Sequence, residues 1–295
     1  MKPSRLPDLP AIDRALLWPL FALLALLAAG AAASPVQLPD AVAQGDLVIG
    51  RTVPGSEVAY GDTTLRVDPE GRFVFGVGRD EAGPVSLVVK LPDGRLETAQ
   101  RAVTRREWKI ERVDGVPQQT VTPDPAIAAR IAREQAGVVA ARERDDDRSD
   151  FASGFEWPLK GRVSGVYGSQ RIYNGTPRSP HSGLDVAAPS GTPIRAPAAG
   201  VVTFADADLY LTGGTVLLDH GHGVSSNFLH LSRIDVAVGD RIEAGQVIGL
   251  VGATGRATGP HMHWGMNWFG VRVDPRAVLE KWPATAGTLG TSPPE

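Results

Sequence analysis

The sequence predicts a mainly β protein with a small N-terminal β-sandwich, a partly helical linker and a second, C-terminal β-rich domain. Three observations predict it. Short β-prone runs separated by turn sequences fill 36–104, an Ala-, Arg- and Glu-rich stretch follows, and short apolar runs then return between closely spaced glycines and prolines from Phe155 to about Leu279. The chain has 295 residues, enough for two domains, and is 42% hydrophobic, enough for a packed core.

Each element has its own signal. Lys2 and Arg5 precede an apolar run from Ala15 to Ala29, and Ala31, Ala32 and Ala33 stand before Ser34 as a small-residue cleavage site. Residues 1–33 therefore read as a signal peptide, or as a retained N-terminal anchor, since the run approaches spanning length. In the sandwich, 36–104, the strand candidates are Asp46–Gly50, Thr64–Val67, Arg72–Phe75 and Val85–Lys90. Pro54-Gly55, Asp68–Gly71 and Pro92–Gly94 supply the turns between them. Nothing in this part looks catalytic; spacing, docking or binding is its expected role, a passive spacer first.

The linker spans 105–154. Pro123, Asp124 and Pro125 form a helix start, and Ala126 to Arg144 is expected to be a solvated helix. The charge run Arg142–Arg148 reads as a solvated face or flexible linker. In the second domain, 155–280, the strand candidates are Gly200–Phe204, Thr215–Leu218, Gln246–Val251 and His261–Met266. The Pro-, Gly-, Thr- and Ser-rich tail, 281–295, is expected to be disordered.

Composition excludes several functions. The absence of cysteine rules out a thiolate zinc site, a cysteine nucleophile and a disulfide framework. Without residues 1–33 the chain carries 27 basic and 31 acidic residues, a net −4, which is not a nucleic-acid-binding balance. The glycines of 245–259 lack the Gly-Lys-Ser/Thr ending of a phosphate loop, and no Gly-x-Ser-x-Gly elbow is present.

All six histidines lie in the second domain. His181 is followed four residues later by Asp185, and His261 and His263 flank Met262. Alone, His-x-x-x-Asp is common by chance. Two neutral imidazoles with one carboxylate, however, suit catalytic zinc, because a fourth tetrahedral position stays open. Histidines at i and i+2 leave the same face of a strand, so one can bind metal while the other faces the chemistry beside it. Met262, Trp264 and Met266 would form the opposite, apolar face. Gly265, following the two histidines on their own face, would leave room for substrate.

His181-Ser-Gly-Leu-Asp185, Asp219-His-Gly221, Phe228-Leu-His-Leu-Ser232 and the run from Gly252 to His261-Met-His-Trp264 together resemble the lysostaphin-type (LytM-domain) zinc metalloendopeptidases, which are directed at peptidoglycan. The resemblance extends upstream to Gly161–Arg171 and downstream to Val273-Asp-Pro275, covering roughly 157–279. It implies an antiparallel β-sheet metallopeptidase domain with one Zn2+ per chain, held by His181, Asp185 and His263. It also implies two catalytic histidines, with His261 as general base and His230 as oxyanion stabiliser, acting through metal-activated water. His220 and His222 are not expected to bind metal; Asp219 and His220 are expected to stabilise a turn or to orient a ligand. Phe228 stands where family members often carry Tyr, so a phenol that could meet substrate is lost.

The reading that follows is an exported, zinc-dependent endopeptidase of the periplasm or cell envelope, hydrolysing peptide bonds in peptidoglycan. Its expected partners are peptidoglycan peptides and cell-envelope regulators, with a membrane involved only if the N-terminal segment is retained. A non-catalytic peptidoglycan-binding or amidase-activating module is the competing reading, against which the five intact site positions argue. Cleavage of a protein rather than a wall peptide is a third. The loops 171–180 and 206–213 are expected to shape the groove, which the linker or first domain could cover.

Overall fold

A computed structural model describes residues 34–114 and 124–284. The signal or anchor segment, 1–33, and the tail beyond 284 lie outside the described residues. Among the described residues, no helix is long and apolar enough to cross a membrane.

The second domain is built on one antiparallel sheet. Its strands run in the order Arg162–Gly165, Leu184–Ala187, His261–Trp268, Val224–Leu231, Gly213–Asp219, Gly200–Leu209 and Arg241–Ile242, with Val271–Val273 also pairing on His261–Trp268. Alternation decides the faces. Val186, Met262, Trp264, Met266, Phe228, Val216 and Leu218 are all fully buried on one side. The opposite side carries Asp185, His261 and His263. A smaller sheet of Pro193–Arg195, Val247–Leu250 and Arg233–Ile234 flanks the main one.

Val224–Leu231 is a central strand that polarity hides in the sequence. Ser225, Ser226 and Asn227 are buried there because each finds a partner inside the sheet. Phe228 lies on the core face, directly across from Trp264. The phenylalanine-for-tyrosine difference therefore falls in the core rather than in the groove.

The N-terminal part forms three small sheets, the smallest pairing Val42–Ala43 with Val103–Thr104. Leu47–Arg51 pairs with Arg72–Gly76, while Thr63–Leu65, Glu57–Tyr60, Val85–Lys90 and Leu96–Arg101 form a four-stranded antiparallel sheet. Val58, Phe73, Phe75, Leu87 and Val89 are completely buried in it. This part is not a free spacer. From Val36 onward the described residues form one compact unit, and one hydrophobic cluster runs through both sets of sheets. The Trp282 indole donates to the Leu47 carbonyl at 2.9 Å, the Asp274 amide donates to the Gly45 carbonyl at 2.7 Å, and Arg106 pairs with the buried Asp274 carboxylate at 2.7 Å.

The linker is also built into the fold. Its helix, Pro125–Arg142, starts where the Pro/Asp signal places it, with the Asp124 carboxylate accepting from the Ala126 amide at 2.8 Å. The charge run beyond it is not a loose solvated segment. Arg66 pairs with Asp145 and Asp147, and Arg148 reaches Asp146, Asp150 and the buried Asp219. These pairs tie the connector to both sheet systems. Residues 281–284, expected within a disordered tail, are ordered too. Pro283 bridges Phe155, whose amide donates to the Trp282 carbonyl at 2.9 Å.

His220 braces this core. Its Nδ1–H donates to the Ala199 carbonyl at 2.7 Å, its Nε2 accepts from the Ser226 hydroxyl at 2.9 Å, and that oxygen accepts from the Trp264 indole at 3.2 Å. Burial pushes the imidazole down to about 4, so it stays neutral in the fold. An unfolded imidazole takes its proton near pH 6.5, so lowering the pH from about 6.5 to 4 favours unfolding, while above 6.5 the linkage vanishes. His220→Ala should cost about 2–4 kcal/mol at pH 7.5 through the cavity and the orphaned partners. It should also lose part of the wild-type decline between pH 7.5 and pH 5, as measured by urea unfolding at both. Parallel declines in the two proteins would contradict the assignment.

Candidate metal centre

Register brings the first two ligands together. Leu184–Ala187 lies beside His261–Trp268 with Asp185 directly opposite His263. Directly opposed residues share a face, so both side chains leave the sheet on the same side. His181 arrives from the preceding loop, whose backbone is pinned on both sides. The His181 amide donates to the Ser169 carbonyl at 2.7 Å, and the Gly168 amide donates to the His181 carbonyl at 2.9 Å.

Three donor atoms then converge. Asp185 Oδ1 stands 3.1 Å from His181 Nε2 and 2.9 Å from His263 Nδ1, and the two nitrogens are 3.1 Å apart. A zinc ion about 2.0–2.1 Å from each donor would place tetrahedral ligands about 3.3 Å apart, so the triangle is close to the right size. The tautomers fit as well. His181 donates its Nδ1–H to the Val166 carbonyl at 3.0 Å, which turns the Nε2 lone pair inward. His263 Nε2 is buried without a partner, leaving Nδ1 as its working atom. The residues present therefore fit a divalent cation.

Electrostatics agree. Burial alone would raise the Asp185 carboxyl, but the His181 and His263 rings overcome it and hold the group well below the ordinary carboxylate range. Burial holds His263 down to about 4, so its lone pair is available at neutral pH. Burial is the largest single influence on His181 and lowers it, but the hydrogen bond and charge of Asp185 together with the backbone at Val166 and Gly183 outweigh it, and the net direction is upward.

The other two predicted residues flank this group. His230 and His261 face each other with ring centroids 4.8 Å apart, and His261 Nε2 is 3.9 Å from Asp185 Oδ1. His230 Nδ1 donates to the Thr254 carbonyl at 2.8 Å, and His261 Nδ1 donates to the Gly259 carbonyl at 2.8 Å. Both rings therefore present Nε2 toward the site. His230 sits at φ +66°, a left-handed backbone costing about 1–3 kcal/mol for a non-glycine residue. Burial lowers its pKa. His222 lies elsewhere, against the Phe151 ring at 5.1 Å.

Sequence reasoning missed several residues that build the site. Thr254 holds His230 through its carbonyl, while its hydroxyl bridges the Gly214 amide and the Leu231 carbonyl at 2.9 Å each. Asn227 fills the space over Gly265, where a Cβ would lie 2.7 Å from Asn227 Oδ1. That space is therefore not room for substrate. At Gly165 a Cβ would stand 2.2 Å from Asp185 Oδ2. Only glycine lets the carboxylate keep its aim there.

The linker touches both loops expected to shape the groove. Ile110–Val113 pairs in parallel with Gln170–Tyr173, and Trp108 lies against Gly168. The helix docks on the other loop, where the Tyr210 amide donates to Glu134 at 2.8 Å and Arg130 reaches Asp208.

An open-sided His/Asp/His cluster on an antiparallel sheet, flanked by two more imidazoles, is the layout of a metal-dependent hydrolase. Residues 179–275 match the sequence profile of Peptidase family M23. The crystal structure of a peptidase M23 from Pseudomonas aeruginosa is 34% identical, superposes with a TM-score of 0.61, and covers 80% of this chain and 94% of that one. This chain belongs to peptidase family M23. The DD-carboxypeptidase/endopeptidase Mpg of Neisseria meningitidis serogroup B is 45% identical over 103 residues, which are 35% of this chain and 24% of that protein. The peptidoglycan DD-endopeptidase ShyA of Vibrio cholerae serotype O1 is 42% identical over 106 residues, 36% of this chain and again 24% of the relative. The match thus spans about a quarter of these curated relatives.

Gly165→Ala should displace the Asp185 carboxylate and weaken zinc binding about 10–100-fold, with the fold retained. Competition against a chromogenic chelator measures it. Unchanged affinity would show that the carboxylate does not depend on that close approach.

Proposed function

We propose that this chain is an exported zinc endopeptidase that hydrolyses peptide bonds in peptidoglycan of the periplasm or cell envelope. The observation that carries the reading is the triangle of His181 Nε2, Asp185 Oδ1 and His263 Nδ1, about 3 Å on each side, with two further imidazoles turned toward it. The wall as substrate is supported by a relative named as a peptidoglycan DD-endopeptidase. Export is supported by the basic, apolar and small-residue order of 1–33.

His181, Asp185 and His263 would hold the zinc, which when bound would supply Lewis acidity and make water acidic enough to act as nucleophile. The protein's own groups handle the protons. With both Nδ1 atoms donating to backbone carbonyls, His230 and His261 each offer an Nε2 lone pair when neutral and an N–H once protonated. His261 is the base, because the imidazolium it forms lies 3.9 Å from the Asp185 carboxylate. The proton that His261 takes from the water is the one returned to the leaving amine, while His230 beside it can stabilise negative charge on the carbonyl oxygen only when it carries a proton on Nε2, a form that its burial disfavours. His230 thus combines a left-handed backbone with a ring set against that of His261.

Purified protein should contain one zinc and release new amino termini from peptidoglycan fragments. Relatives named as DD-endopeptidases make a D,D-peptide bond the first bond to test. His263→Ala should lose both zinc and turnover. His261→Ala should keep zinc while kcat falls about 10²–10⁴-fold. Metal-replete protein that binds wall peptides without cleaving any of them would favour the binding-module reading instead.

A further inference from the structure

A cavity of about 280 Å³ lies between the linker helix and the catalytic sheet, on the same face as the metal-binding group. Leu229, directly opposite His263 in the sheet, forms part of its floor, and Ser182, next to His181, part of its wall. The five histidine and aspartate residues of the candidate centre do not line it. It is a separate compartment one step along the sheet.

Two guanidiniums point into this space. Arg142 comes from the last turn of the linker helix, and Arg272 comes from Val271–Val273, paired opposite Asn267. Neither forms an ion pair or a side-chain hydrogen bond among the described residues. Arg142 Nε is fully enclosed with no partner. Exposed arginines such as Arg95 and Arg233 pair with carboxylates, whereas these two, more enclosed, do not among the described residues. Burial and the neighbouring Arg272 charge push Arg142 down to about 9, and burial also lowers Arg272. Two desolvated like charges in one cavity are costly unless an anion joins them.

We infer that this cavity is a carboxylate-binding subsite, with Arg142 and Arg272 forming its cationic end. The guanidinium fork matches a carboxylate in geometry and charge, and Leu209, Leu211 and Val138 provide an apolar wall for a small side chain. The volume suits a fragment of one or two residues rather than a long peptide. Placed beside the metal-binding group, the subsite would seat a peptide's free carboxylate and so set which bond reaches the catalytic residues. That last step rests on the proposed endopeptidase function; the binding itself does not.

The test uses the full chain with ¹⁵N-labelled arginine side chains. N-acetyl-D-alanyl-D-alanine, its C-terminal amide and plain acetate are titrated separately, with and without prior removal of metal by a chelator. The Nε–H signals of Arg142 and Arg272, assigned by the Arg142→Gln and Arg272→Gln variants, should shift with the free acid and weakly with acetate, but not with the amide. The shift should survive metal removal, and each variant should weaken the free-acid affinity at least about 10-fold without lowering the ligand-free thermal midpoint. Equal response to acid and amide, no shift with the acid, or loss of the shift on chelation would overturn the subsite. If either variant unfolds, Arg142→Lys and Arg272→Lys, which keep charge but lose the fork, must still weaken free-acid binding. In turnover, Arg272→Gln should lower kcat/KM for the free-acid peptide relative to its C-terminal amide. A protein that binds as described yet cleaves nothing would sink the endopeptidase reading and leave the subsite standing.

Discussion

The pairing of Asp185 with His263 across two neighbouring antiparallel strands is the constraint on which the rest of the site depends. In a sheet, a one-residue slip turns every side chain to the other face. Here the apolar set Val186, Met262, Trp264 and Met266 must be inside, and burying it leaves Asp185 and His263 no choice but the opposite face. The hydrophobic core therefore sets the metal geometry. His181 needs a different device, a loop held by backbone hydrogen bonds at Ser169 and Gly168, because no strand carries it.

Around that pair the molecule spends polar residues on orientation. The Nδ1 atoms of His181, His230 and His261 each donate to a backbone carbonyl, so three rings are locked with Nε2 turned toward the site. His220 uses the same device for a structural end, joining Ala199, Ser226 and Trp264 beneath the sheet. One residue type serves support and chemistry, and only the surroundings separate the two.

The connector unites the parts that the sequence appeared to keep separate. Its first strand joins the loop leading to His181, its helix lies over the sheet beside the metal-binding group, and its charged end reaches Arg66 on one side and Asp219 on the other. A displacement of this segment would be felt at both groove loops. The N-terminal part reinforces this through Gly45 and Leu47, which with Arg106 of the linker hold the segment around Asp274 and Trp282.

Much of this was legible from residue order alone. Alternation in His261–Trp268 identified its two faces, the Pro/Asp pattern located the linker helix, and the His/Asp motifs, through their resemblance to a known family, supplied the expected ligand set. These are local signals, carried by neighbours along one strand or one helical turn. Three-dimensional packing decided the rest. The polar strand Val224–Leu231 is central because its partners lie on other strands, and Asn227 occupies the room above Gly265. The charge run after the helix became a set of ties, and two unpaired arginines from distant segments met in one cavity. Residue order determines what each side chain can do; which groups are left buried without a partner depends on contacts between segments far apart in the chain, and only folding creates those.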